Sequence, residues 1–418
     1  MRFLLSLILL LNVFAPLRAI AQDINTFELP TNHKASEFLP INLLTGPNYS
    51  VADTVVNDGM FNKYFLRTDF GIIEANSTSK ALQRIEEMDA LGIVDQLNKS
   101  DPFKHAVKES SKQVIQGAEY LVKNPIGSAK SVVSGVTKMF RRAGNTLFAA
   151  EPADNQDGRA KAFIGFSATK RAFANELGID PYTDNEILQE ALDEASWVGF
   201  AGGMTTAVAF SAVPGAAGSA ADVTRSTATG VNAAFSKTPL DLEKQNREAL
   251  LSMGIDEQVV ELFLRNSIFP PSIETQITDA LAKLDGVENR QAALEVATLT
   301  SERDVAEYLR EQLELYAGYH SLIGPLKTIH VGPNDSVIAA ETRKDEIVVI
   351  MPIDYLAWTQ EIGLAFIAQD QNPGLQGRNK SLWITGKFSP RTEVALKELG
   401  WNIAAEAKKS LLPTSAAK

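Results

Sequence analysis

The chain has no cysteine among its 418 residues. That absence excludes disulfides, thiolate catalysis, cysteine-ligated metals and iron–sulfur clusters, and it excludes a lipid-modified cysteine behind an export signal. Without disulfides the folded chain depends on its hydrophobic core. Hydrophobic residues make up 45% of the sequence, an ordinary share for a globular protein.

Histidine and positive charge are also scarce. The four histidines form neither an i, i+4 pair nor an HExxH pattern, so no metal site is predicted. The net charge of −11 argues against nucleic acid as a partner, because nucleic-acid backbones are bound by clustered Lys and Arg. The glycines between Gly199 and Gly203 are not followed by Lys-Ser or Lys-Thr, as in a phosphate-binding loop, and no cofactor is predicted.

Catalytic patterns are equally thin, since the sequence has no GxSxG nucleophile elbow. Three residues of the C-terminal part nevertheless have a suitable setting. Asp354 follows the end of a predicted strand, and Lys387 and Ser389 precede a predicted helix whose first residue is Pro390. Backbone amides at a helix N-terminus bind anions. Asp354, Lys387 and Ser389 are therefore the candidate site for hydrolysis or anion binding, and a plain strand-to-helix turn is the simpler interpretation.

The first 21 residues have the layout of a secretory signal peptide. Arg2 gives a positive start, residues 3–15 form an apolar run, and Ala19-Ile20-Ala21 is a small-x-small cleavage site before Gln22. We therefore predict export to the periplasm or the exterior of a bacterial cell, in free solution or peripheral on a membrane. An uncleaved anchor helix is the alternative, although the apolar run is shorter than the roughly 20 residues that span a bilayer.

Hydrophobic periodicity predicts an α+β fold with a small N-terminal antiparallel sheet. Asp58-Gly59 is a strong turn signal, because both residues tolerate the positive φ of a tight hairpin turn. The turn would join strands over residues 50–56 and 60–68, and a helix from about Ser79 would pack on the sheet. This unit is expected to cover residues 22–103.

The rest of the mature chain is predicted to contain a large helical middle, residues 159–325, and a small C-terminal α/β domain, residues 326–407. In the C-terminal domain strands alternate with helices, and such connections close right-handed between parallel strands. Residues 408–418 are expected to form a disordered tail.

Residues 104–158 are predicted to form basic amphipathic helices followed by a polar linker. Residues 104–148 carry eight basic and two acidic side chains, against the acidic balance of the whole chain. Such a stretch could lie on an anionic membrane surface, where each basic residue adds about 1 kcal/mol. A solvated amphipathic helix is the alternative interpretation.

Residues 195–221 carry no charged side chain. Gly199 and Gly203 form a GxxxG pair, which allows close helix packing in membranes. A membrane-inserting hairpin is one interpretation. Tightly packed internal helices are the other, because Pro214 divides the run into arms shorter than the roughly 20 residues of a span.

Several short motifs together are similar to a group of exported bacterial proteins with no assigned activity. They are Asp58-Gly59 with Tyr64 and Phe70-Gly71, Asn124-Pro125, Asp180-Pro181-Tyr182, Gly202-Gly203, and the run from Leu382-Trp383 through Thr385-Gly386 to Leu399-Gly400-Trp401. The resemblance implies export and a shared architecture. It implies no catalytic residues.

The sequence thus supports three hypotheses about function. The first is a non-enzymatic envelope protein that binds a protein partner of undetermined identity or an anionic membrane surface through residues 104–148. The second is a hydrolase or anion-binding enzyme with its site near Asp354, Lys387 and Ser389. The third is a membrane-inserting protein that uses residues 195–221.

Overall fold

The structure is a computed structural model that describes residues 24–101, 104–105, 157–201, 203–211, 237–332 and 338–413, with the backbone alone for residues 157–166 and 201. The predicted signal peptide, its cleavage site at Ala19, Ala21 and Gln22, and nearly all of residues 104–148 lie outside the described residues.

The N-terminal unit is an antiparallel sheet with one long helix packed on it, as predicted. Val55, Tyr64 and Leu66 point inward along the strands and are buried against Ile85 and Met88 of the helix. The strands are β1 His33–Lys34, β2 Thr45–Gly46, β3 Tyr49–Val51, β4 Thr54–Asn57, β5 Asn62–Thr68 and β6 Gly71–Ala75, and the helix is α1 Thr78–Lys99. The strand order is β1-β4-β5-β3-β2, and β6 also pairs with β5.

The predicted hairpin turn is present, but its loop is longer than the two residues expected. Strands β4 and β5 pair from Asn57 opposite Asn62, so residues 58–61 form the loop. The side chain of Asp58 holds it, because one carboxylate oxygen accepts hydrogen bonds from the amides of Met60 and Phe61, at 2.9 and 2.7 Å. Gly59 has a φ of +109°, in the region that favours glycine.

The middle of the chain is helical. Its described helices are α2 Asp157–Leu177, α3 Glu186–Ala201, α4 Thr206–Ser211, α5 Pro239–Ser252, α6 Glu257–Leu264, α7 Pro271–Lys283, α8 Arg290–Thr298 and α9 Arg303–Leu322. Buried side chains of α2–α4 belong to the core of the N-terminal unit, whereas those of α5–α9 pack under the C-terminal sheet. Residues 159–325 therefore contribute to two hydrophobic cores.

The C-terminal domain is a five-stranded mixed sheet of order β13-β11-β9-β8-β7. Strands β9, β11 and β13 are parallel, as the strand–helix–strand pattern predicts. One face packs on α9, and the other carries a separate core that contains Trp358, Leu382 and Leu396. The strands are β7 Leu326–Val331, β8 Ile338–Thr342, β9 Ile347–Met351, β10 Tyr355–Leu356, β11 Lys380–Ile384, β12 Lys387–Phe388 and β13 Trp401–Ala404, and the helices are α10 Gln360–Asp370, α11 Pro390–Glu398 and α12 Lys408–Leu411.

Two segments of the N-terminal unit complete the C-terminal domain. Met60 and Phe61 of the β4–β5 loop and Ile24 of the lead-in segment are buried in the core around Trp358. The amides of Asp354 and Tyr355 both donate to the Met60 carbonyl, at 3.0 and 3.1 Å. The N-terminal unit and the C-terminal domain therefore share a hydrophobic core and are joined by backbone hydrogen bonds.

Tyr355–Leu356 pairs in parallel with Lys387–Phe388, and α10 begins at Gln360, where the hydroxyl of Thr359 caps it. One local prediction needs correction. The tail expected to be disordered from residue 408 begins instead with α12, whose Leu411 is buried against α9. Leu411 packs so closely that its carbonyl would lie 2.1 Å from a Cβ added at Gly318.

Candidate functional site

An open cleft of about 150 Å³ lies where the N-terminal unit meets the C-terminal domain. It is found just beyond the carboxyl ends of the parallel strands β9, β11 and β13, the edge at which open α/β sheets usually bind ligands. The residues that line it are Glu37, Phe38, Thr78, Ser79, Leu82, Asp354, Thr385, Gly386, Lys387, Glu406 and Lys408.

Close backbone contacts shape the floor of the cleft. A Cβ added to Gly386 would lie 1.7 Å from the carbonyl oxygen of Asp354, so only glycine fits there. The Asp354 carbonyl accepts from the Lys387 amide at 3.0 Å, and the Gly386 carbonyl accepts from the Glu406 amide at 2.9 Å. The loops after the three parallel strands are thus pinned to one another.

Asp354 is buried at the junction, with 5% of its surface exposed. Its carboxylate accepts from the backbone amide of Asn62 at 2.9 Å and from that of Thr78 at 3.0 and 3.1 Å. Burial raises the pKa of Asp354 to about 6, against the lowering effect of these two amides. Asp354 therefore joins the C-terminal domain to the start of β5 and of α1, and its oxygens are already engaged.

Lys387 lines the same cleft as Asp354, as the candidate site requires. Its ammonium donates to the carbonyl of Glu37 at 2.8 Å and lies 5.2 Å from the centre of the Phe38 ring. Both contacts are with the N-terminal unit, so Lys387 also holds the junction together.

Ser389 does not line this cleft. Its hydroxyl accepts from the amide of Thr392 at 3.0 Å, which confirms the predicted cap of α11, and it donates to the carboxylate of Glu28. The structure brings together Asp354 and Lys387 at the cleft, whereas Ser389 contacts Glu28 of the lead-in segment.

The cleft contains a serine that sequence reasoning missed. Ser79, in the first turn of α1, accepts from the ammonium of Lys408 at 2.9 Å and donates to the carboxylate of Glu311 at 3.2 Å. Lys408 and Glu311 form an ion pair at 2.7 Å. Although burial opposes it, Lys408 and Arg310 hold the pKa of Glu311 below its ordinary value. The Ser79 hydroxyl therefore lies between the two members of an ion pair and contacts both of them.

A sequence signal for this turn exists, since Ser77-Thr78-Ser79-Lys80 has the SxxK spacing at a helix start. In the structure, Ser77 and Lys80 of this motif both make contacts that stabilise the fold. The Ser77 hydroxyl accepts from the Lys80 amide as a helix cap, and the Lys80 ammonium lies between Asp184 and Glu307, at 2.9 and 2.7 Å. The motif therefore marks a helix start and a buried ion-pair cluster.

The described part of residues 195–221 is buried in part, although several residues of its second half, Val208 among them, are exposed. Ala195 and Val198 of α3 are fully buried, and Phe210 of α4 meets Phe173 edge-to-face. Gly199 lies against the Phe173 ring, whereas Gly203, with a φ of +65°, lies in the turn after α3. Among the residues that the structure describes, no helix has the length and apolarity to cross a bilayer.

No cluster of three or more potential metal ligands occurs in the described ranges. Comparisons of the chain with models of protein families, with curated proteins and with solved structures found no match. The resemblance to exported bacterial proteins therefore stays a prediction.

Proposed function

We propose that the protein is an exported component of the bacterial envelope that acts by binding and not by catalysis. One observation supports this most directly: the groups that look catalytic are engaged in holding the fold together. The Asp354 carboxylate accepts from two backbone amides of the N-terminal unit, and the Ser389 hydroxyl caps α11. A carboxylate with both oxygens so bound is poorly placed to act as a general base, because a base must be free to reach the substrate's proton.

The proposed partner is the surface of an anionic membrane, bound through residues 104–148. The support is electrostatic, since this stretch carries a net charge of +6 on an otherwise acidic chain. At about 1 kcal/mol for each basic residue near the surface, such a stretch gives salt-sensitive binding.

Vesicle flotation of the mature chain, residues 22–418, tests this proposal. We expect the protein to float with phosphatidylglycerol vesicles at low salt and to remain in solution with phosphatidylcholine vesicles. Reversing the charge of Lys104, Lys108 and Lys112 to Glu should abolish flotation.

A matched control reverses three exposed lysines elsewhere, whose side chains are 76%, 61% and 73% exposed: Lys244, Lys397 and Lys409. The control carries the same change in net charge and should float like the natural protein. Recovery of the natural protein in the soluble fraction alone, at low salt and with anionic vesicles, would contradict the membrane half of the proposal.

A hydrolase or anion-binding site in the cleft is the second candidate. It is favoured by one arrangement, the hydroxyl of Ser79 between Lys408 and Glu311 in a cleft that also holds Lys387. A fluorophosphonate probe would label Ser79 if it is an activated nucleophile, and Ser79→Ala would remove that label. We expect no label on the natural protein, and stoichiometric labelling would establish the second candidate instead.

A further inference from the structure

The lead-in segment, residues 24–28, occupies a groove of the C-terminal domain that lies between Trp358, α10 and the start of α11. We call this segment the strap. Residues 24 and 25 form a turn, and the segment is separated from β1 by four exposed residues, 29–32, of which Leu29 is 84% exposed. The contact is therefore made by a short peptide on an exposed connection.

The groove forms hydrogen bonds with backbone groups of the strap. The Glu28 amide donates to the Trp358 carbonyl at 3.0 Å, and the Trp358 indole N–H donates to the Ile24 carbonyl at 2.8 Å. Arg391 Nε donates to the Thr26 carbonyl at 2.9 Å. Three hydrogen bonds thus involve main-chain atoms of the strap, and these contacts do not depend on the identity of its side chains.

Side chains of the strap supply selectivity. Phe27 packs on Gly363 of α10. A Cβ added at Gly363 would lie 2.6 Å from the Phe27 ring, so glycine at this position gives the ring its space. The Glu28 carboxylate accepts from the Trp358 amide at 2.5 Å and from the Ser389 hydroxyl at the N-terminus of α11. Ile24 is buried in the core around Trp358.

We propose that this groove is a binding site for a peptide with an apolar residue followed, three and four positions later, by Phe and Glu. In the monomer the strap fills the site in cis. In trans its ligand is the strap of a second copy of this chain, whose sequence satisfies every contact described above. This site is distinct from the cleft and independent of membrane binding.

The short connection, residues 29–32, favours binding of each strap to the groove of its own copy over binding to the groove of another copy. A short linker gives the cis strap an effective concentration in the millimolar range, so the intact protein stays monomeric at micromolar concentration. A copy that has lost its own strap contacts has an empty groove and takes the strap of another copy.

Mixing two complementary full-length variants tests the proposal. One copy carries Ile24→Ala, Phe27→Ala and Glu28→Ala, which removes the side-chain contacts of its strap and so empties its groove, and the other carries Gly363→Leu, which fills the Phe27 position and frees an intact strap. Light scattering should show a 1:1 heterodimer in the mixture and monomers of each copy alone. Adding Leu29→Ala to the copy with the intact strap, a change at an exposed position, should leave the heterodimer intact.

A peptide arm makes the test independent of the folding of the Gly363→Leu copy. A labelled peptide of residues 22–32 should bind the copy with the empty groove saturably, and the same peptide with Phe27→Ala should bind about tenfold more weakly or worse. Absence of a heterodimer, together with peptide binding no stronger than that of a scrambled peptide, would overturn the proposal. The natural protein should bind the peptide far more weakly than the empty copy, and equal binding would also overturn it.

Discussion

Two buried carboxyl groups, those of Asp354 and Glu274, are expected to make the stability of this protein depend on pH. Asp354 lies at the junction of the two chain ends, and Glu274 is buried on α7 near Glu243 of α5. Burial raises the pKa of each of these two carboxyls, because a low-dielectric site disfavours the charged form. The folded state therefore binds their protons more tightly than the unfolded state does, and their contribution to stability is lost as pH rises.

The first prediction concerns Asp354→Asn. With a native pKa of about 6 and an ordinary value of 3.8, the contribution of Asp354 is fully present below about pH 4 and is lost as pH rises through 6. The free energy of unfolding of the natural protein, relative to the variant, should fall by about 2 kcal/mol over this range. Urea unfolding between pH 4 and 7 measures it. Asp53→Asn, at an exposed position, should show no such trend, and a difference that grows with pH would contradict the assignment.

The second prediction concerns Glu274→Gln. Burial, reinforced by Glu243, raises the pKa of Glu274 to about 8 from 4.5. The variant cannot ionise, so its advantage over the natural protein should be absent near pH 4 and reach the order of 3 kcal/mol at pH 8. Thermal and urea unfolding at the two pH values measure it. Glu248→Gln, at a side chain 68% exposed, is the matched control. Equal stability of variant and natural protein at pH 8 would refute the prediction.

Backbone contacts, in addition to the side chains, hold the loops at the cleft in place. The loops after β9, β11 and β13 touch at Asp354, Gly386 and Glu406, and Glu406 itself has a φ of +52°. A non-glycine residue in the left-handed region is costly, on the order of 1 kcal/mol or more. The fold accepts this cost where three loops must meet.

The third prediction is that Gly386→Ala destabilises the protein, by about 2–4 kcal/mol, because the new methyl group cannot share space with the Asp354 carbonyl. Gly324→Ala is the control, since an added Cβ there has no neighbour within 4 Å. Urea unfolding at pH 7 compares the two variants. If both variants unfold at the same urea concentration, the close approach of the two loops is not a real constraint.

Local elements were predictable where the signal lies within a few residues. Asp58-Gly59 predicts a hairpin because the turn residues themselves hold it, and Ser389 with Pro390 predicts the start of α11 in the same way. Thr183 and Glu186 have the spacing of a capping box at the start of α3 but do not form one. Asn185 accepts from the Leu188 amide instead, because the Thr183 hydroxyl is drawn to the buried carboxylate of Glu87. Glu87 is 96 residues away from Thr183 in the sequence, so a local pattern cannot predict this contact.

The whole molecule is joined through contacts between residues far apart in the chain. The Asp354 contact with Asn62 spans 292 residues, and the Trp358 contact with Glu28 spans 330. The fold class could be read from hydrophobic periodicity, but these pairings could not, because periodicity shows which face is buried and not against what. The candidate site was predicted only in part. Asp354 and Lys387 line the same cleft, as expected, but Ser79 also lines it, and periodicity cannot show that the start of α1 packs against the C-terminal domain.

The fourth prediction follows from the hydrophobic core that the N-terminal unit shares with the C-terminal domain. Phe61 of the β4–β5 loop is 7% exposed and lies in the core of the C-terminal domain, 6.1 Å from the Tyr308 ring. Phe61→Ala should destabilise the protein by about 3–5 kcal/mol. In urea, far-ultraviolet circular dichroism and tryptophan fluorescence should shift together, because three of the four tryptophans report on the C-terminal domain. Separate transitions, with the fluorescence unaffected by the variant, would show two independent bodies.

Native-state hydrogen exchange tests the central claim most directly, namely that the catalytic-looking groups of the C-terminal domain and their neighbours serve to join the two ends of the chain. The amides to follow are those of Asn62 and Thr78, which donate to Asp354. We predict that both exchange only through global unfolding, with the same protection as the centres of β9 and β11. Exchange of these amides at the rate of an exposed loop would contradict the claim.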